Sequence, residues 1–99
     1  MDIEHWRVEI DEIDDHLLRL LNMRARLAVK VGALKRIRGL PLTDQERERE
    51  VLLRVRRNNS GPLDERAVTK LFRRIIRESR RVEAHTAANV PIQPHEVLR

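Results

Sequence analysis

The sequence predicts an all-α protomer of three helices, one long, one short and one medium, and three observations carry that reading. Apolar residues recur at intervals of three and four over the first third of the chain. Two compact turn signals, Arg38-Gly39-Leu40-Pro41-Leu42 and Asn58-Asn59-Ser60-Gly61-Pro62, divide the remainder of the chain. With 99 residues the chain is one small domain, and its only aromatics are Trp6 and Phe72. Its core is therefore built from Leu, Ile, Val and Ala, with oligomerisation as a natural source of further burial.

The first segment, roughly Ile3 to Ile37, places Ile3, Trp6, Ile10, Ile13, Leu17, Leu20, Leu27, Val31 and Leu34 at that spacing and contains no proline. This predicts one continuous helix with a narrow apolar seam. At 1.5 Å per residue it would be roughly 50 Å long, against a radius of gyration of about 13 Å for a compact domain of this size. A helix that overhangs its own domain needs a partner at its far end, so its length signals a dimer. Gly39 is the expected C-terminal cap, and Pro41 prevents continuation.

Thr43-Asp44-Gln45-Glu46 fits a capping box, with Thr43 as N-cap and Glu46 reaching back. The second helix runs from about Asp44 to Arg57 and turns Val51, Leu52 and Val55 inward. Asp64 caps the third helix, with Leu63 packing on Val68 as a hydrophobic staple. That helix buries Val68, Leu71, Phe72, Ile75, Ile76 and Val82 and fades near His85. Residues 1–85 then form the domain. Residues 86–99, with two prolines and no periodicity, form a flexible tail.

Composition excludes several classes. There is no cysteine, so neither disulfides nor thiolate metal sites are available. The four histidines, at 5, 16, 85 and 95, show no ligand spacing and read as surface residues, so no metal site is expected. No run approaches the ~18 apolar residues of a membrane span, and the acidic start lacks the pattern of a signal peptide. The expected location is the cytoplasm. The net charge of +5 points to an anionic partner without saying whether it is nucleic acid or a small dianion.

The informative residues are those that interrupt the apolar seams. Spacing from Leu20 to Leu27 asks for an apolar side chain at position 24, where Arg24 stands. A charge there is costly unless paired. Either it snorkels outward to a nearby carboxylate, or it faces an internal cavity that takes an anion. Ala28, Gly32 and Lys35 follow on nearly the same face, so two cations flank two small residues. On the third helix Ser79 and Glu83 extend the stripe of Phe72 and Ile76, and a buried carboxylate must find a cation or a proton. With Arg47 and Glu48 from the second helix, Arg24, Lys35, Ser79 and Glu83 outline a polar pocket inside an apolar bundle. This is the layout of a small-molecule site and not of a surface that tracks a phosphate backbone.

The same residues carry a resemblance over about Trp6 to Glu83. Arg7-x-x-Ile10-Asp11-x-Ile13-Asp14-x-x-Leu17-Leu18-x-Leu20-Leu21-Asn22-x-Arg24 resembles the opening of the helical, AroQ-class chorismate mutases. Ala28-Val29-x-Val31-Gly32-x-x-Lys35, Asp44-x-x-Arg47-Glu48 and Phe72-x-x-Ile75-Ile76-x-x-Ser79 continue the match in order. The resemblance implies an intertwined homodimer whose first helices cross, with a site in each half. It implies that Arg24, supported by Ser79, grips one substrate carboxylate and that Arg7 of the other protomer holds the second. Lys35 would donate to the ether oxygen, Glu48 would hold the ring hydroxyl, and Asp44 and Arg47 would line the pocket mouth. Arg7 and Arg24 are 17 positions apart, about 25 Å along one helix. They therefore reach one small molecule only from different chains. One position departs from the pattern: Glu83 stands where many bacterial members have Gln, as in some fungal relatives, and a carboxyl donates only when protonated.

The implied reaction is the [3,3] rearrangement of chorismate to prephenate in aromatic amino-acid biosynthesis, which needs no cofactor, nucleophile or metal. Catalysis would come from holding the chair-like conformer and stabilising the charge that develops as the C–O bond breaks. Two other functions fit the same fold. One is an isochorismate-pyruvate lyase, from which Ser79 and the Asp44-Arg47-Glu48 stretch point away. The other is a regulatory module in complex with another shikimate-pathway enzyme. A dimeric nucleic-acid binder is the remaining class, and no recognition helix or stacking aromatic supports it.

Overall fold

A computed structural model of the chain describes residues 2–86. It contains α1 (Ile3–Ile37), α2 (Gln45–Asn58) and α3 (Glu65–Thr86), which is the expected order of long, short and medium. Residues 87–99, most of the expected tail, lie outside the described residues, as does His95. No helix among the described residues is long and apolar enough to cross a membrane.

Local chemistry fixes the helix ends. The Asp2 carboxylate caps α1 by accepting from the His5 amide at 3.0 Å. At the other end Gly39 adopts φ +67°, open to glycine at little steric cost. The Leu40 amide then reaches the Lys35 carbonyl at 2.8 Å and the Gly39 amide reaches that of Arg36 at 3.2 Å, a Schellman closure.

The start of α2 corrects one expectation. Asp44, not Thr43, is the N-cap, and its Oδ1 accepts from the Arg47 amide at 3.0 Å. Both residues are competent caps, but the carboxylate also meets the positive end of the helix dipole. With Asp44 as cap, the third helical residue is Arg47, so no reciprocal box forms. Asp64 caps α3 as expected, accepting from the Ala67 amide at 2.8 Å.

Helix α3 lies against both other helices, which barely touch each other. Contacts between Arg24 and Ser79 and between Gly32 and Glu83 show α1 and α3 running in the same general direction. Those between Glu48 and Arg80 and between Arg56 and Thr69 show α2 and α3 running oppositely. The core is thin: Val29 and Ala33 of α1, Val51 and Leu52 of α2, Val68 and Ile76 of α3. Val55 and Phe72 pack against part of it.

Much of the expected seam stays uncovered. Every residue from Asp2 to Leu20 is exposed, and so are Leu27 and Val31 beyond it. What α1 buries is the adjacent face of Val29, Gly32 and Ala33 in its second half. Leu71 and Val82, expected inside, are 52% and 39% exposed, and Leu63, expected as a staple, is 53% exposed. On α3 the buried face centres on Val68, Phe72, Ile76, Ser79 and Glu83, so Leu71 and Val82 fall on its flank. Two helices cannot cover a third that is 35 residues long. The principal extents of 54 × 25 × 22 Å and the radius of gyration of 16.8 Å result from that overhang.

Candidate active site

A small cavity opens where the second half of α1, the first turns of α2 and the second half of α3 meet. Arg24, Lys35, Asp44, Arg47, Glu48, Ser79 and Glu83 line it together with Ala28, Leu42, Val51, Ile76 and Arg80. Seven of the eight residues expected at the site thus converge from three helices. The eighth, Arg7, stands far along the exposed half of α1, where its guanidinium pairs with Glu4 at 3.0 Å.

Arg24 does not snorkel away. Its Nη1 donates to the Ser79 Oγ at 3.0 Å, and Ser79 is itself buried, so the hydroxyl holds the guanidinium at the cavity wall. Burial, then the Arg47 charge and then that of Arg54, draw the Arg24 pKa down from its usual value. A guanidinium nevertheless remains charged in a protein. Cations crowded together in this way make a place for an anion. Lys35 sits within the Schellman turn, and its Nζ donates to the Leu42 carbonyl at 3.5 Å, so the α1–α2 connection folds back over the ammonium.

Glu83 is 8% exposed and lies against Gly32. A Cβ at position 32 would come within 2.6 Å of the Glu83 Oε1 and 2.8 Å of its Cγ. The space left by glycine is therefore filled by the Glu83 side chain. Burial pushes the Glu83 carboxyl up, while Lys35 and then Arg80 pull it down.

Arg80 is also the residue that sequence reasoning missed. Its Nη2 donates to Glu48 Oε2 at 3.3 Å. The only available signal was its position, one residue after Ser79 and one turn before Glu83. Asp44 and Arg47 lie at the mouth, the carboxylate engaged as a helix cap and the guanidinium 3.7 Å from Glu50. Among the described residues no three His, Asp or Glu side chains come together to share a metal ion.

The cavity measures about 110 Å³, below the ~300–1,000 Å³ usual for a ligand pocket. A larger hollow of about 1010 Å³ lies along the first half of α3 beside Arg56 of α2, walled also by Arg66, Lys70, Arg73, Arg74 and Arg77. Apart from the half-buried Arg56 its cations are exposed, and Thr69 is the one buried polar residue among its walls. The smaller cavity has two buried polar side chains, Ser79 and Glu83, among its walls.

The family model described as "Chorismate mutase type II" matches residues 6–84. The chain belongs to the type II chorismate mutase family. A chorismate mutase of Methanocaldococcus jannaschii is 33% identical over 78 residues, covering 78% of this chain and 79% of that one. The bifunctional chorismate mutase/prephenate dehydratase of Aquifex aeolicus is 39% identical over 79 residues. The alignment takes in 76% of this chain and 22% of the Aquifex protein, so the chain spans about a fifth of the length of such bifunctional relatives. Among solved structures, chorismate mutase (Form II) from Thermus thermophilus superposes with a TM-score of 0.81 at 36% identity. That match covers 83% of this chain and 93% of the other. The family and the fold agree with the three-helix order.

Proposed function

We propose that the chain converts chorismate to prephenate by a cofactor-free [3,3] rearrangement, as an intertwined cytoplasmic homodimer. The observation that carries this reading is the convergence of Arg24, Lys35, Glu48, Ser79 and Glu83 on one cavity between buried helix faces, in a chain of the chorismate mutase family. Two guanidinium forks suit two carboxylates. Arg24, oriented by Ser79, takes one. Arg7 of a second protomer takes the other, which supplies the wall that a cavity of about 110 Å³ lacks.

Within that frame the enzyme breaks one C–O bond and forms one C–C bond without exchanging atoms with the substrate. Lys35 places a positive charge where the ether oxygen becomes negative, and a protonated Glu83 donates to the same oxygen. Glu48 accepts from the ring hydroxyl, and Asp44 and Arg47 close the mouth. Electrostatic stabilisation of this kind acts strongly because the site is partly shielded from water.

Incubation with chorismate, monitored by its ultraviolet absorbance and by acid conversion of the product to phenylpyruvate, tests the proposal. Turnover is expected, with a fall of ~10²–10³ in Lys35→Ala and Arg24→Ala. Equal rates in the parent and both variants, or no turnover between acid and neutral pH, would refute it.

A further inference from the structure

The active-site roles proposed above leave one cavity-lining cation unused. Arg80 reaches Glu48 on α2 through a single contact, Nη2 to Oε2 at 3.3 Å, with the two side chains 36% and 30% exposed. It leaves α3 one turn before Glu83 and lines the same cavity as Asp44, Glu48 and Glu83. We infer that Arg80 is a positioning residue: it fixes Glu48 by one carboxylate oxygen, leaving the other to accept from substrate, and it is the cation shared by Glu48 and Glu83.

The contact geometry supports the first half. A carboxylate held through one oxygen has a defined plane and an unoccupied second oxygen, whereas a bidentate fork would engage both. An unheld Glu48 would redistribute among rotamers, and substrate binding would bear the entropy of fixing it. The second half rests on the charges around Glu83. Lys35 and Arg24 share its cavity from α1, Asp44, Arg47 and Glu48 from the start of α2, and Arg80 from α3. Lys35 and Arg80 favour its ionised form, against burial. Removing Arg80 leaves Lys35 as the main opposition, so Glu83 keeps its proton to higher pH. Deleting a cation from a site for a dianion therefore widens the pH range of activity while weakening binding.

The kinetic arm of the test rests on the proposed mutase activity; a spectroscopic arm does not. The side-chain carboxyl of Glu83 would be titrated by carbon-13 NMR in the parent protein, Arg80→Gln and Arg80→Lys, and kcat and KM for chorismate measured across pH in each. Arg80→Gln is expected to raise KM about two- to fivefold, in line with a partly exposed ion pair, and to affect kcat less. It should move the Glu83 midpoint and the falling limb of activity upward. Arg80→Lys keeps the charge, so its midpoint stays near the parent value while KM recovers only in part. An Arg80→Gln protein with either the parent KM or the parent midpoint overturns the inference. If the parent protein turns over no chorismate, the mutase reading falls, and the carboxyl titration still decides Arg80: an unmoved midpoint refutes it.

Discussion

Glu83 is the carboxyl whose protonation the proposed chemistry needs, and the fold supplies a reason for it to hold its proton. Burial raises its pKa, with Lys35 and Arg80 opposing. Because the folded-state value lies above the unfolded one, stability from this group is complete below the ordinary Glu pKa and is lost as pH rises through the raised value. Activity should fall over the same rise, since the ionised form cannot donate and repels a dianion. Glu83→Gln donates at every pH, so a flat rate profile and a weaker pH dependence of the melting temperature are expected from it. Matching profiles for Gln and Glu would sink this account. Glu83, Ser79 and Arg24 were legible in the sequence because each interrupts an apolar stripe. Arg80 was not, because it sits in a run of polar and charged residues, Arg77-Glu78-Ser79-Arg80-Arg81, where no spacing separates a cavity-facing cation from a solvated one. Only the 3.3 Å approach to Glu48 makes the distinction.

Among the elements, the extent of α1 was readable, since a proline-free three-four spacing and a Gly-x-Pro stop leave little choice, although Arg38 and not the expected Gly39 is its C-cap. The start of α2 was off by one because Thr43 and Asp44 are adjacent and both able to cap. The structure makes a discriminating prediction. Asp44→Ala should cost about 1 kcal/mol of stability through the lost bond to the Arg47 amide, while Thr43→Ala should be close to neutral. Urea unfolding of the two variants decides, and a larger loss in Thr43→Ala would restore the capping box. Asp44→Ala also loosens the turn that carries Arg47 and Glu48, so substrate affinity should drop with stability.

The described part of the molecule is shaped by apolar surface on α1 that α2 and α3 leave uncovered. Trp6, Ile10, Ile13, Leu17 and Leu20 are each about half exposed or more, along the part of α1 that extends beyond its own bundle. Covering such a row would contribute on the order of 5–10 kcal/mol before the costs of association. Light scattering should therefore give twice the chain mass, and Ile13→Glu should lower both the dimer fraction and the turnover. An active monomer would show that Arg7 is not needed from a second chain. The seam was visible in the sequence. Which parts of it face the chain's own α3 was not, because periodicity marks an apolar face without naming what lies opposite.

The close approach of Gly32 to Glu83 also constrains the order in which this site can change. A methyl group at position 32 would normally favour the helix by about 1 kcal/mol, yet here it would strike the Glu83 side chain at 2.6 Å. The sign of Gly32→Ala should therefore depend on position 83: destabilising in the parent, stabilising once Glu83 has become Ala. A double-mutant cycle read by thermal unfolding would detect that reversal, and additive effects would exclude it. Where it holds, a lineage that fills position 32 must first shorten position 83. The two sites then form a one-way gate among neighbouring sequences.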